Sequence, residues 1–253
     1  MDLFASLTPD GVSTLAAGAI IIIAFFTSAL TAAFGLGGGL ALLAAMSVLF
    51  PPAAVVPVHG VAQLGSNLSR FFFLSRHALW PIVAWFSAGA VIGSFLGASM
   101  AVALPEAVLR FGVGVFILLT LWGPKPPSLR AGGGAFFAGG AVSSFLTMFF
   151  GATGPIVATI LSVARLDRMQ TVSTHAACLV VQHSLKTVAF GAIGFAFAPW
   201  APLILAIVLT GFAGSYAGTR LLKRLPEGAF KRGFRFLLSA IAVYLIGASI
   251  FSK

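Results

Sequence analysis

The chain repeats itself. At a constant offset of 116 residues, Ser28 matches Ser144, Thr31 matches Thr147, Phe34-Gly35 matches Phe150-Gly151, Gly38 matches Gly154, and His59 matches His175. Asn67 stands opposite His183 and Arg70 opposite Lys186 in the same register. The offset then becomes 121: Gly93-Ser94 matches Gly214-Ser215, Gly97 matches Gly218, and Leu104-Pro105-Glu106 recurs as Leu225-Pro226-Glu227. A self-match at fixed spacing restricts the fold to two copies of one structural unit. Residues 1–123 make the first copy, 131–253 the second, and the Pro-rich linker 124–130 joins them.

The setting of both copies is a membrane. The 253 residues are 59% hydrophobic and 8% charged with mean hydropathy +1.07, and several stretches near 20 residues carry no charge. That is too much apolar surface for one soluble core and enough for several spans. The net charge of +10 resides in short clusters between apolar runs, without the basic stripe of a nucleic-acid surface, so the clusters read as topology signals. The single Cys178 excludes an intrachain disulfide and a CxxC metal site. The first twelve residues hold Asp2 and Asp10 and no basic residue, unlike a signal peptide, so the first apolar run is expected to be structural.

Gly and Pro clusters divide the chain into ten apolar segments, at 13–33, 36–50, 53–74, 78–102, 107–123, 131–150, 152–164, 170–196, 199–222 and 230–251. Equivalent loops carry opposite charge patterns. Loop 219–235 holds six basic residues while its first-half counterpart holds Arg110 alone; the turn at Arg76-His77 is charged while its counterpart near 191–199 is not. Since Lys and Arg stay cytoplasmic, the two copies are expected to be inverted in the membrane, with both termini outside and 11 of the 15 basic residues inside. Segments 36–50 and 152–164 are too short to cross, which predicts half-helices. The fold expected is an all-α polytopic membrane protein of two inverted-topology repeats, with broken half-helices and about 8–10 membrane segments.

Four polar residues interrupt the third segment. On a helix His59, Gln63, Asn67 and Arg70 fall within about 80° of one another. The second copy repeats the stripe with His175, Gln182, His183 and Lys186. Cations at membrane depth cost roughly 2.5–3.5 kcal/mol on insertion scales and face a cavity or pathway. Singly, each is also explained by snorkelling or a helix crossing; a register-matched pair of stripes points to a site. Upstream of each stripe lies a break, "FGLGGGL" at 34–40 and "FGATGPI" at 150–156. A half-helix starting there turns unpaired N–H groups and the positive end of its dipole into the membrane interior. The glycines of "GAVIGSFLG" and "GFAGSYAG" fit close helix packing instead. "GLGGGL" lacks the strand and the Lys-Ser/Thr of a nucleotide loop. All five acids lie at ends or loops, which disfavours a cation carrier and leaves any coupled proton to His59, His175 or His183.

This combination resembles the TauE/SafE sulfite exporter family: a Gly-rich break after the first span, a Pro and His on the third segment followed by Asn and Arg, and a weaker second copy. The resemblance covers essentially the whole chain. It implies a secondary carrier of the bacterial cytoplasmic (inner) membrane, moving sulfite, sulfoacetate or another small sulfur-containing or organic oxyanion, most simply as an exporter, by alternating access at the repeat interface. Carried onto this chain, the motif gives Gly35, Gly37, Gly38, Gly39, His59, Asn67 and Arg70, then Gly151, Thr153, Gly154, Pro155, His175 and Lys186. Pro155 in place of a Gly39 equivalent, and His183 in place of Asn67, predict unequal contributions from the two halves. The partners implied are a small anion and the lipid bilayer, with no cofactor, metal or nucleic acid. An anion-selective channel would use the same basic lining. An enzyme would need a nucleophile with its base or a ligand cluster, and His59, His175, His183 and Cys178 do not have ligand spacing.

Overall fold

The computed structural model describes residues 8–34, 37–101, 105–123, 132–221 and 227–251; Gly35 and the linker 124–130 lie outside them. The described residues form helices and turns without strands. In order the helices are α1 (Thr14–Phe34), α2 (Gly38–Leu49), α3 (Pro52–Leu74), α4 (Trp80–Ala101), α5 (Glu106–Trp122), α6 (Gly133–Phe150), α7 (Gly154–Ser162), α8 (Arg168–Ala192), α9 (Ala201–Leu221) and α10 (Glu227–Phe251).

Length and composition sort them. Stretches Thr14–Ala32, Trp80–Ala101, Gly133–Phe150 and Ala198–Gly218 are long and apolar enough to span a bilayer. They belong to α1, α4, α6 and α9, two equivalent pairs. Their outer faces present Ile22, Phe26, Phe95, Leu96, Leu205 and Leu209 to the surroundings, a surface suited to lipid. By contrast α2 and α7 have 12 and 9 residues, about 18 and 14 Å, short of a hydrocarbon core of about 30 Å. Each is sealed in its own apolar cluster. Leu40, Leu43 and Met46 of α2 pack with Ile20, Leu203 and Leu238. Val157, Ile160 and Leu161 of α7 pack with Val83, Phe86 and Cys178.

The helix contacts repeat with the halves exchanged. A methyl on Gly93 of α4 would overlap the Ala141 carbonyl of α6, and one on Gly214 of α9 would overlap the Phe25 carbonyl of α1. Gly97 against Phe145 recurs as Gly218 against Ala29. Only glycine admits such an approach, and in lipid close packing replaces the hydrophobic effect as the force between helices. In both pairs residue numbers rise together, so the helices are parallel. The central pair runs the other way. Gly60 of α3 meets Lys186 of α8, while Leu74 and Leu79 accept from Ser173 and donate to Thr174, respectively, at the opposite end. Helices α5 and α10 are likewise antiparallel, with Gly114 beside Ala242 and Trp122 donating to Ser239.

Candidate functional site

The two breaks are made differently. Gly37 caps α2 with φ of 100°, and Gly151 caps the end of α6 with φ of 77°; both need glycine. After Gly37, the N–H groups of Gly38, Gly39 and Leu40 have no acceptor among the described residues, and the first helical bond is Ala41 N–H to the Gly37 carbonyl at 3.0 Å. After Thr153 the helix starts with Gly154 and Pro155, so one donor is absent outright and Ile156 bonds back to the Thr153 carbonyl at 3.0 Å.

Helices α3 and α8 bring their stripes to these breaks. His59 Nε2 lies 2.9 Å from the Gly39 carbonyl and His175 Nε2 lies 3.0 Å from the Gly154 carbonyl. A carbonyl only accepts, so both rings carry their proton on Nε2 when neutral. Pro57, two residues before His59, removes one helical N–H where α3 passes the break. The Gln63 side chain packs over Gly39. Asn67 donates to the Gln63 carbonyl at 2.7 Å and accepts from the Arg70 guanidinium at 2.6 Å; Arg70 Nε also reaches the Ser66 carbonyl at 3.4 Å.

On the other side Gln182 accepts from Thr153 Oγ1 at 3.1 Å and donates to Ser143 and Ser144, each at 3.2 Å. Lys186 Nζ donates to the Gly151 carbonyl at 2.9 Å, an oxygen that Thr147 Oγ1 also reaches at 3.0 Å. Among the described residues the His183 ring has no hydrogen-bond partner at its buried Nδ1, and neither has that of His59. The two rings lie 6.2 Å apart, centroid to centroid.

A cavity of about 30 Å³ joins the two sides. Gly37, Gly39, His59, Gln63, Arg70, Gly154, Pro155, His175 and His183 line it, so both half-helices aim their N-terminal ends into it. Asn67, Thr153, Gln182 and Lys186 stand behind the lining and hold it; Gly38 is packed against Thr27 and Thr31. Thr31, Leu40, Ala152 and Leu179 also line the cavity and were not among the expected site residues. Thr31 and its partner Thr147 are both in the repeat, which is the signal that could have found them. Among the described residues the buried polar and charged set holds no Asp or Glu, so the cavity is electropositive, with hydrogen-bond donors from guanidinium and backbone. Among the described residues no group of three or more His, Cys, Asp or Glu could hold a metal.

A family model described as Sulfite exporter TauE/SafE matches residues 20–245. No curated protein matches the chain.

Proposed function

The chain belongs to the TauE/SafE sulfite exporter family, and on that premise we propose that it is a secondary carrier exporting a small sulfur-containing or organic oxyanion, such as sulfite or sulfoacetate. The carrying observation is the convergence of two half-helix N-termini with Arg70 and three imidazoles on one cavity, in a buried polar set without a carboxylate. Donors fixed in a site of low dielectric favour anions. In this reading Gly37, Gly39, Arg70 and His183 contact the anion. His59, Gln63 and His175 shape the wall, and Asn67, Thr153, Gln182 and Lys186 hold it from behind.

Alternating access at the interface between the halves completes the reading. It is supported by contacts that recur with the halves exchanged and by the antiparallel course of the equivalent pairs α3/α8 and α5/α10, the relation that inverted repeats require. In a bacterial inner membrane both termini then face the periplasm. Reporter fusions at each terminus test this, and a cytoplasmic terminus at either end would overturn it.

A thermal-shift screen of purified protein against sulfite, sulfate, sulfoacetate and thiosulfate tests the site. A ligand at 100 times its Kd adds about 2.7 kcal/mol of stability. At least one oxyanion is expected to stabilise the wild type and not Arg70→Gln; no stabilisation by any of them would contradict the assignment.

A further inference from the structure

Among the described residues Lys186 is the only Lys or Arg in the buried set, at 0% exposure. Its stem crosses from α8 to α3, where a methyl on Gly60 would come within 2.7 Å of its Cε. An ammonium has three donors. One goes to the Gly151 carbonyl, which is shared with Thr147, and Nζ makes no other hydrogen bond among the described residues. His59 of α3 and His183 of α8 interact with it electrostatically, and Arg70 and His175 lie next around His183; among the described residues, Thr147 and the Gly151 backbone are what α6 and the break place on it. None can be negative. A buried ammonium without a counter-charge is held at high cost, unlike the guanidinium of Arg70, which keeps its charge and opens onto the cavity. Lys186 does not line that cavity, but its neighbours His59 and His183 do, as does Ala152 next to Gly151.

We propose that Lys186 is the proton-binding site of the carrier, taking up one proton as a dianion enters the cavity and releasing it as the dianion leaves. This rests on the anion reading given above and adds the substrate's charge class. On loading, a proton from solvent bonds to the Nζ lone pair; on unloading, that N–H bond breaks and the proton returns to solvent. A dianion facing Arg70 and protonated Lys186 gives a neutral loaded site, and the empty site keeps the charge of Arg70 alone. His59 and His175 hold their Nε2 protons on the Gly39 and Gly154 carbonyls and could take a further proton only at Nδ1; the lysine variants distinguish uptake at Nζ from uptake there.

The test is calorimetry of purified protein with sulfoacetate in buffers of differing ionisation enthalpy, which counts protons taken up per anion bound. Sulfoacetate does not itself titrate between about pH 6.5 and 8.5. The wild type is expected to take up about one proton, its Kd rising about tenfold per pH unit where uptake is complete. Lys186→Met is expected to bind with no uptake and a Kd flat with pH, matching the wild type at the alkaline end. Lys186→Arg, permanently charged, serves as the second variant and is also expected to show no uptake. Per sulfoacetate bound, His183→Gln keeps the proton. Uptake by Lys186→Met or Lys186→Arg, loss of uptake in His183→Gln, or no uptake by the wild type would each overturn the proposal. Absence of binding by sulfoacetate, sulfite, thiosulfate and sulfate alike would overturn the anion reading instead.

Discussion

Four side chains fasten the second break: Lys186 and Thr147 on the Gly151 carbonyl, His175 on the Gly154 carbonyl, and Gln182 on Thr153. At the first break, among the described residues, His59 alone bonds the backbone, through the Gly39 carbonyl, and the N–H groups of Gly38, Gly39 and Leu40 stay without acceptors. The cations follow the same division. Arg70 is steadied by its own helix and lines the cavity, whereas Lys186 is spent on the opposite wall. One difference between the copies lies beside the lysine. Gly60 leaves room for the Lys186 stem, while its equivalent at the 116-residue offset, Ala176, carries a methyl and is fully buried. In the proposed site the first half therefore offers its cation to the cavity, while the second half ties its own to the break.

The largest effect is expected where the copies remain equal. Gly93→Ala and Gly214→Ala each force a methyl into a backbone carbonyl, so each should cost about 3 kcal/mol, and the two should agree to within about 1 kcal/mol in thermal unfolding in detergent. Strong disagreement would deny that the two helix contacts are equivalent. Next comes the pair of cations. Arg70→Gln should weaken oxyanion binding by about 1–3 kcal/mol at every pH, the range for a hydrogen bond to a charged group. Lys186→Met should leave binding at the alkaline end within about threefold. Equal losses in both would make them joint ligands and erase the asymmetry.

A subtler change acts on the packing alone. Gly60→Ala presses on the flexible end of Lys186, so the lysine remains but is displaced from the Gly151 carbonyl. Proton uptake on anion binding should fall while unfolding stability changes by less than about 1 kcal/mol. Unchanged uptake would separate the lysine's position from its role. The smallest effect distinguishes the threonines. Thr147→Val removes a donor from the Gly151 carbonyl and should cost about 1 kcal/mol, whereas Thr31 bonds only the Thr27 carbonyl of its own helix at 3.0 Å, and Thr31→Val should cost a few tenths. Thermal unfolding of the two variants decides between them.

All ten helices, the two breaks and the two stripes were legible in the sequence because each has a covalent marker. Glycine and proline end the apolar runs, and charge-free stretches near 20 residues suit a span. The polar residues recur at fixed offsets, so their faces could be assigned before any contact was known. The unequal use of Arg70 and Lys186 was not legible. Both lie at the same register, and Gly60 comes beside the Lys186 stem only once α3 and α8 are packed together. The helix spacing also placed Asn67 on the stripe, but not its use as the support that aims Arg70. Thr31 and Thr147 were visible as a repeat, yet mid-helix threonines usually bond their own backbone, and Thr31 does so; the turn at Gly151, with φ of 77°, brings that carbonyl back to Thr147 four residues earlier.

The central claim is that a carrier moves an oxyanion through this one cavity with Arg70 as its charge partner. Counterflow in proteoliposomes tests it most directly: vesicles loaded with unlabelled sulfite or sulfoacetate are diluted into a trace of the same labelled anion, without a pH gradient. The wild type is expected to accumulate label transiently above equilibrium, saturably with concentration, and Arg70→Gln is expected to lose this overshoot at matched reconstitution. Flux that rises linearly with concentration without an overshoot, or full counterflow in Arg70→Gln, would contradict the account.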